Sequence, residues 1–95
     1  MIRFTAQLQL CSGDSASWHF ITVPDEFVGE IRAHTLGMGR GFGAVKVEVR
    51  IDHVTWRTSI FPMKAGGYFL PVKADVRRKA GIAPADDITL EIDLL

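Results

Sequence analysis

Residues 45–61 read VKVEVRIDHVTWRTSIF, and their pattern decides the fold class. Val45, Val47, Val49 and Ile51 alternate with Lys46, Glu48 and Arg50, the period-two ladder of a strand with one oily face and one wet face. VTWRTSIF continues with aromatic and β-branched residues suited to a second strand. Only Asp52 and His53 separate the two, a spacing that suits a tight hairpin although neither is the glycine such turns favour.

The same grammar extends to both ends of the chain. Ile2, Phe4, Ala6, Leu8 and Leu10 alternate with polar residues, SGDSAS breaks the pattern, and SWHFITV resumes it, so the first two strands are expected to pair as an antiparallel hairpin. Thr22, Pro24 and Asp25 carry the signals of a helix start, with Phe27, Val28, Ile31 and Leu36 facing the core and Gly37 as the stop. GMGRGFG follows as a glycine-rich loop. YFLPV is a short strand ended by Pro71. A second helix follows, with Val72, Val76 and Ala80 inward, Asp75 one turn before Lys79, and Gly81 and Ile82 closing it. Ile88, Leu90, Ile92 and Leu94 form a last amphipathic strand.

Six or seven strands with one apolar face each, and two short helices, predict a mainly β fold: a small closed barrel in a single domain spanning residues 1–95. Strand, proline, helix and strand recur in the two halves as a loose internal repeat.

Composition bounds the function. Apolar residues are 47% and charged residues 23% of the 95, as in a globular protein. Eleven basic residues balance eleven acidic ones, so attraction to phosphate has to come from a local cluster. The single cysteine, Cys11, has no partner for an internal disulfide, which suits a reducing cytoplasm, and thiolate metal binding is excluded. The N-terminus lacks the form of a secretory signal, and no apolar run approaches the roughly 18 residues of a membrane span.

Taken in order, Phe4, SWHFITVP, VKVEVRI, TSIFPMKAGGYFLPVKADVRRKAGI and DDITLEI resemble the bacterial family known as domain of unknown function 1905, over nearly the whole chain. The resemblance implies a closed β-barrel with two helices and no assigned activity. The family often places Gly-Asp where this chain has Ala85 and Asp86, so a different turn into the last strand is expected. Some members carry a further C-terminal segment, whereas this sequence ends at Leu95. GYFLPVKADVRRKAGIAPADDITLEI is also similar to the strand, helix and strand unit of AbrB-type swapped-hairpin regulators, which bind DNA as interlocked dimers. Fold likeness alone transfers no function.

Residues 57–82 hold the candidate binding chemistry. Backbone N–H groups of Gly66 and Gly67, hydroxyls of Thr58 and Ser59, and cations at Lys64, Lys73 and Arg77 could converge on an anion, joined by Arg40 and Arg57. The competing reading makes the hydroxyls and glycines barrel scaffold and the cations a solvated helix face. Arg77, Arg78 and Lys79 are consecutive on a helix and so point over a wide arc, which disfavours a nucleic-acid groove contact. Trp18, Trp56, Tyr68 and Phe69 are expected in the core rather than as stacking platforms. His19, His34 and His53 lack metal-ligand spacing. Cys11 and Ser59 lack the setting of a nucleophile, and the carboxylates stand at helix starts and turns.

The resulting expectation is a non-enzymatic module, needing no cofactor, that takes a small anionic or partly apolar ligand at a mouth bounded by residues 37–44 and 61–67. A DNA-associated regulator is the alternative, and a homodimer is compatible with either. Arg77→Ala is expected to alter stability by less than about 0.5 kcal/mol if the residue serves a ligand.

Overall fold

The computed structural model describes residues 1–12, 17–37 and 43–95. Its strands are β1 (Ile2–Gln7), β2 (Gln9–Ser12), β3 (Ser17–Val23), β4 (Val45–Ile51), β5 (Val54–Pro62), β6 (Tyr68–Pro71) and β7 (Asp87–Leu94). A 3₁₀ turn at Asp25–Phe27 leads into α1 (Val28–Gly37), and α2 (Ala74–Ala80) connects β6 to β7. The seven strands make one antiparallel sheet in the order β1-β7-β4-β5-β6-β3-β2.

The expected closed barrel is corrected: the sheet is open and curled into a half-barrel. β1 and β2 stand at its opposite edges, and no ladder joins them. Both belong to one N-terminal segment that changes edge at Leu8, so the chain crosses the gap covalently rather than by hydrogen bonds. The expected N-terminal hairpin is therefore half right. β2 pairs with β3 from Gln9↔Phe20 to Ser12↔Ser17, but β1 pairs with β7 from Ile2↔Ile92 to Gln7↔Asp87. The crossing point is held at both backbone polar groups: Leu8 N–H donates to the Asp86 carbonyl at 3.4 Å, and Ala85 N–H donates to the Leu8 carbonyl at 2.9 Å.

β5 makes the other bend. Its residues 54–60 pair with β4, and only Phe61 and Pro62 continue onto β6. Strands that pass from one half of a sheet to the other in this way form the corners of a curled sheet. Inside the curl Val49 is flanked by Ile92 and Trp56, and Ile92 by Ile2 and Val49. Phe4, Val47 and Ile92 share one core cluster with Ile21, Ile31, Leu70 and Val76. Each such side chain fully withdrawn from water contributes roughly 1.5–3 kcal/mol.

The helices cover the curl. In α1, Ile31 and Thr35 are buried one turn apart, while Leu36, 66% exposed, points away from the core. Five positions separate Leu36 from Ile31, which rotates it well off the inward stripe that i, i+4 residues share. Thr22 caps no helix; its hydroxyl donates to Gln9 Oε1 at 3.1 Å on the outside of the sheet. α2 buries Val76, as expected from its spacing with Val72. It ends in a Schellman arrangement: Gly81 at φ 66° donates to the Arg78 carbonyl, and Ile82 N–H to that of Arg77. No helix among the described residues is long and apolar enough to cross a membrane.

Candidate functional site

Pro71 is the origin of a cleft beside α2. It is the last residue of β6, opposite Phe20, and having no N–H it cannot extend the ladder. Val72 turns its N–H back to the His19 carbonyl at 2.9 Å, and Lys73 stays extended at φ −72°, ψ 159° before α2 begins. The first turn of α2 is thereby set beside the start of β3. Between them lies a cleft of about 310 Å³ walled by Trp18, His19, Pro71, Val72, Lys73 and Arg77. That volume is at the small end for a ligand site.

Lys73 and Arg77, four positions apart, share the α2 side of this cleft. Arg77 is fixed there: Nη1 donates to the Val72 carbonyl at 2.7 Å. That bond gives Arg77 a share in holding the helix entry, so its removal is expected to cost more stability than the sequence alone suggests. His19 faces it, and its pKa is held below the ordinary 6.5, first by desolvation and second by the Arg77 charge. No carboxylate, hydroxyl or thiol side chain lines the cleft among the described residues. Its chemistry is cationic and aromatic, with one neutral imidazole.

The other sequence-predicted residues are distributed elsewhere. Thr58 and Ser59 are neighbours on a strand and so face opposite ways: Thr58 sits across from Val47, and Ser59 across from Lys46 on the outside. Arg57 is also outside, with its Nε 3.8 Å from Glu48 Oε1. Lys64, Gly66 and Gly67 form the β5–β6 turn. There Gly66 N–H is used by the Met63 carbonyl at 3.0 Å, and the Gly67 carbonyl accepts from Met63 N–H at 2.9 Å. A side-chain carbon at Gly67 would lie 3.6 Å from Asp25 Oδ1, so a carboxylate stands beside this turn and opposes an anion. Arg40 lies outside the described residues, as does most of the glycine-rich loop and of the expected mouth at 37–44.

Sequence reasoning missed Trp18 and His19, and it placed Trp18 and Phe69 in the core. Tyr68 is buried as expected and Trp56 packs against the core, but Trp18 is 42% exposed. The signal was present in SWHFITV: once Ile21 and Val23 point inward, period two sends Phe20 and Trp18 outward. Phe69 and Phe61 follow by the same rule from the buried Leu70 and Ile60. The ring of Trp18 lies 4.9 Å from Phe20 and 5.3 Å from Phe69, centroid to centroid.

A second cleft of about 370 Å³ lies on the other flank of α2, between His53, Thr55, Trp56, Asp75, Val76 and Lys79. Asp75 and Lys79 form no ion pair there, and the Asp75 carboxylate makes it a poorer host for an anion. His34 is satisfied by the Leu95 carbonyl at 3.0 Å. No group of three metal-ligating side chains occurs among the described residues.

The model of a family described as a domain of unknown function (DUF1905) matches residues 4–92. A search of the curated proteins finds no match.

Proposed function

Since the chain belongs to the DUF1905 family, whose description assigns no activity, we propose a function from the cleft itself: non-enzymatic binding of a small anion with an apolar, planar body. The observation that carries this reading is the placement of Lys73 and Arg77 on one wall of a cleft that also contains the exposed ring of Trp18. The anionic end meets the two cations, and the apolar body lies on the indole. Among the described residues its walls carry no carboxylate, hydroxyl or thiol to work with His19 or Lys73, so the cleft is suited to holding a molecule rather than transforming it.

Charge-assisted contacts of about 1.5–3 kcal/mol each, plus partial burial of one ring, correspond to affinities from roughly millimolar to tens of micromolar. Titration calorimetry with a set of aryl carboxylates and aryl phosphates tests this. Lys73 is exposed, so Lys73→Ala should leave the fold intact and weaken binding about tenfold. Aryl anions that give neither heat nor thermal stabilisation at millimolar concentration would defeat the reading, as would full-strength binding by Lys73→Ala.

Duplex DNA binding of the AbrB type has less support. Arg77 and Arg78 share an open surface with Gly81 and Ile82, but Lys79 lines the cleft with Trp56 and Asp75, so the three cations present no single stripe. A bacterial, cytoplasmic setting remains part of the proposal, on the unpaired Cys11 and the family resemblance.

A further inference from the structure

We propose that the outer face of β3, β6 and the end of β5 is a stacking shelf for single-stranded nucleic acid. Trp18, Phe20, Phe69 and Phe61 all occupy outward positions there, on the face turned away from the core. They form one continuous group. Trp18, Phe69 and Phe61 make a row with neighbouring centroids 5.3 and 5.6 Å apart, and Phe20 buttresses it at 4.9 Å from Trp18 and 6.1 Å from Phe69. Trp18 and Phe61, at the two ends, are 42% and 39% exposed. A row of rings fixed on a sheet by mutual packing is a platform on which two or three successive bases can stack, whatever their sequence.

Charge at both ends of the row fits a phosphate backbone. Beyond Trp18 stand Lys73 and Arg77. Beyond Phe61 the outer face of β5 continues through Ser59 to Arg57, with Lys46 across from Ser59, and Lys64 lies in the turn that follows. Carboxylates near it among the described residues include Glu48, held loosely by Arg57 at 3.8 Å, and Asp25 at the Gly67 turn. A second copy of the chain is a poorer occupant. Two exposed rings and the half-buried Phe20 and Phe69 offer at most roughly 300 Å² of apolar surface, against about 800 Å² per partner in a standard stable interface.

This inference goes beyond the small-ligand reading. It shares Trp18, Lys73 and Arg77 with the cleft, but it depends on Phe69 and Phe61, which the cleft does not contain. The test is fluorescence anisotropy of a labelled ten-nucleotide thymidine strand and of a ten-base-pair duplex, at 50 mM and 200 mM salt. The single strand should bind at least tenfold more tightly than the duplex, whose paired bases offer no free faces. Phe61→Ala should weaken single-strand binding by about five- to a hundredfold, and Phe61→Tyr should restore it. Lys73→Ala should reduce the slope of log K against log salt by about 0.7.

Absence of single-strand binding up to 1 mM strand, equal affinity for the duplex, or an unaffected Phe61→Ala protein would each overturn the shelf. So would sedimentation showing a dimer that Phe61→Ala dissociates. Aryl anion binding measured in the same Phe61→Ala protein keeps the two proposals separable, because loss of the shelf leaves the cleft complete.

Discussion

Ala85 holds a left-handed backbone conformation, φ 72°, without being glycine. It sits in the turn that clamps Leu8, where the N-terminal segment changes sheet edge. Asp86 N–H donates to the Ala83 carbonyl at 3.1 Å, Asp86 Oδ2 accepts from Ala83 N–H at 2.8 Å, and Ala85 N–H donates to the Leu8 carbonyl at 2.9 Å. For a residue with a β-carbon this conformation costs about 1–2 kcal/mol. Glycine escapes that cost but loses about 0.4–1 kcal/mol more in unfolded-state entropy. Every bond of the clamp uses backbone or Asp86, so Ala85→Gly keeps them all. The net expectation is a gain of about 0.5–1 kcal/mol, or about 2–8 °C in Tm for a domain of this size. Urea denaturation followed by circular dichroism should show a higher midpoint with an unchanged slope. A midpoint that stays put or falls would refute the reasoning, since it would mean that this turn is not left-handed or that it is not strained.

Two further outcomes follow from the cleft. The His19 pKa lies below 6.5 in the folded protein, so the unfolded chain binds the proton more readily; stability from neutral His19 is complete above about pH 6.5 and is lost as pH falls below it toward the folded value. His19→Gln should therefore flatten the decline of the urea midpoint in the window just below pH 6.5, and an identical pH profile would contradict this. Arg77→Ala removes the 2.7 Å bond to the Val72 carbonyl and should cost about 1–2 kcal/mol of stability, whereas Lys73→Ala should stay within about 0.5 kcal/mol; equal effects in denaturation experiments would show that the Arg77 bond does not secure the α2 entry.

Strand positions were legible because period two is a local property: Val45 to Ile51 and Ile88 to Leu94 read directly as ladders, and Gly81 announced the end of α2. Sheet edges were not. Alternation in MIRFTAQLQL is unbroken through Leu8, so nothing local says that its two halves bind different partners. That division is imposed by β7 and β3 from the far side of the sheet. At Ala85, where family resemblance suggested a different turn, the chain takes a left-handed conformation without glycine and bonds to Leu8.

The site divided along the same line. Lys73 and Arg77 share a helix face at i, i+4, a relation the sequence contains, and they stayed together. Thr58 and Ser59 looked adjacent but occupy opposite sides of β5. Trp18 and His19 come from more than fifty positions away, and only the ladder pairing Phe20 with Pro71 brings them to α2.

The most direct test is a ¹H–¹⁵N shift titration with an aryl phosphate, because it reports location as well as affinity. Progressive shifts concentrated at Trp18, His19 and residues 71–77, with the Trp18 indole N–H among the largest, are the predicted result. Shifts centred on Trp56 and Lys79 across the helix, or none at saturating millimolar ligand, would contradict the assignment of the cleft.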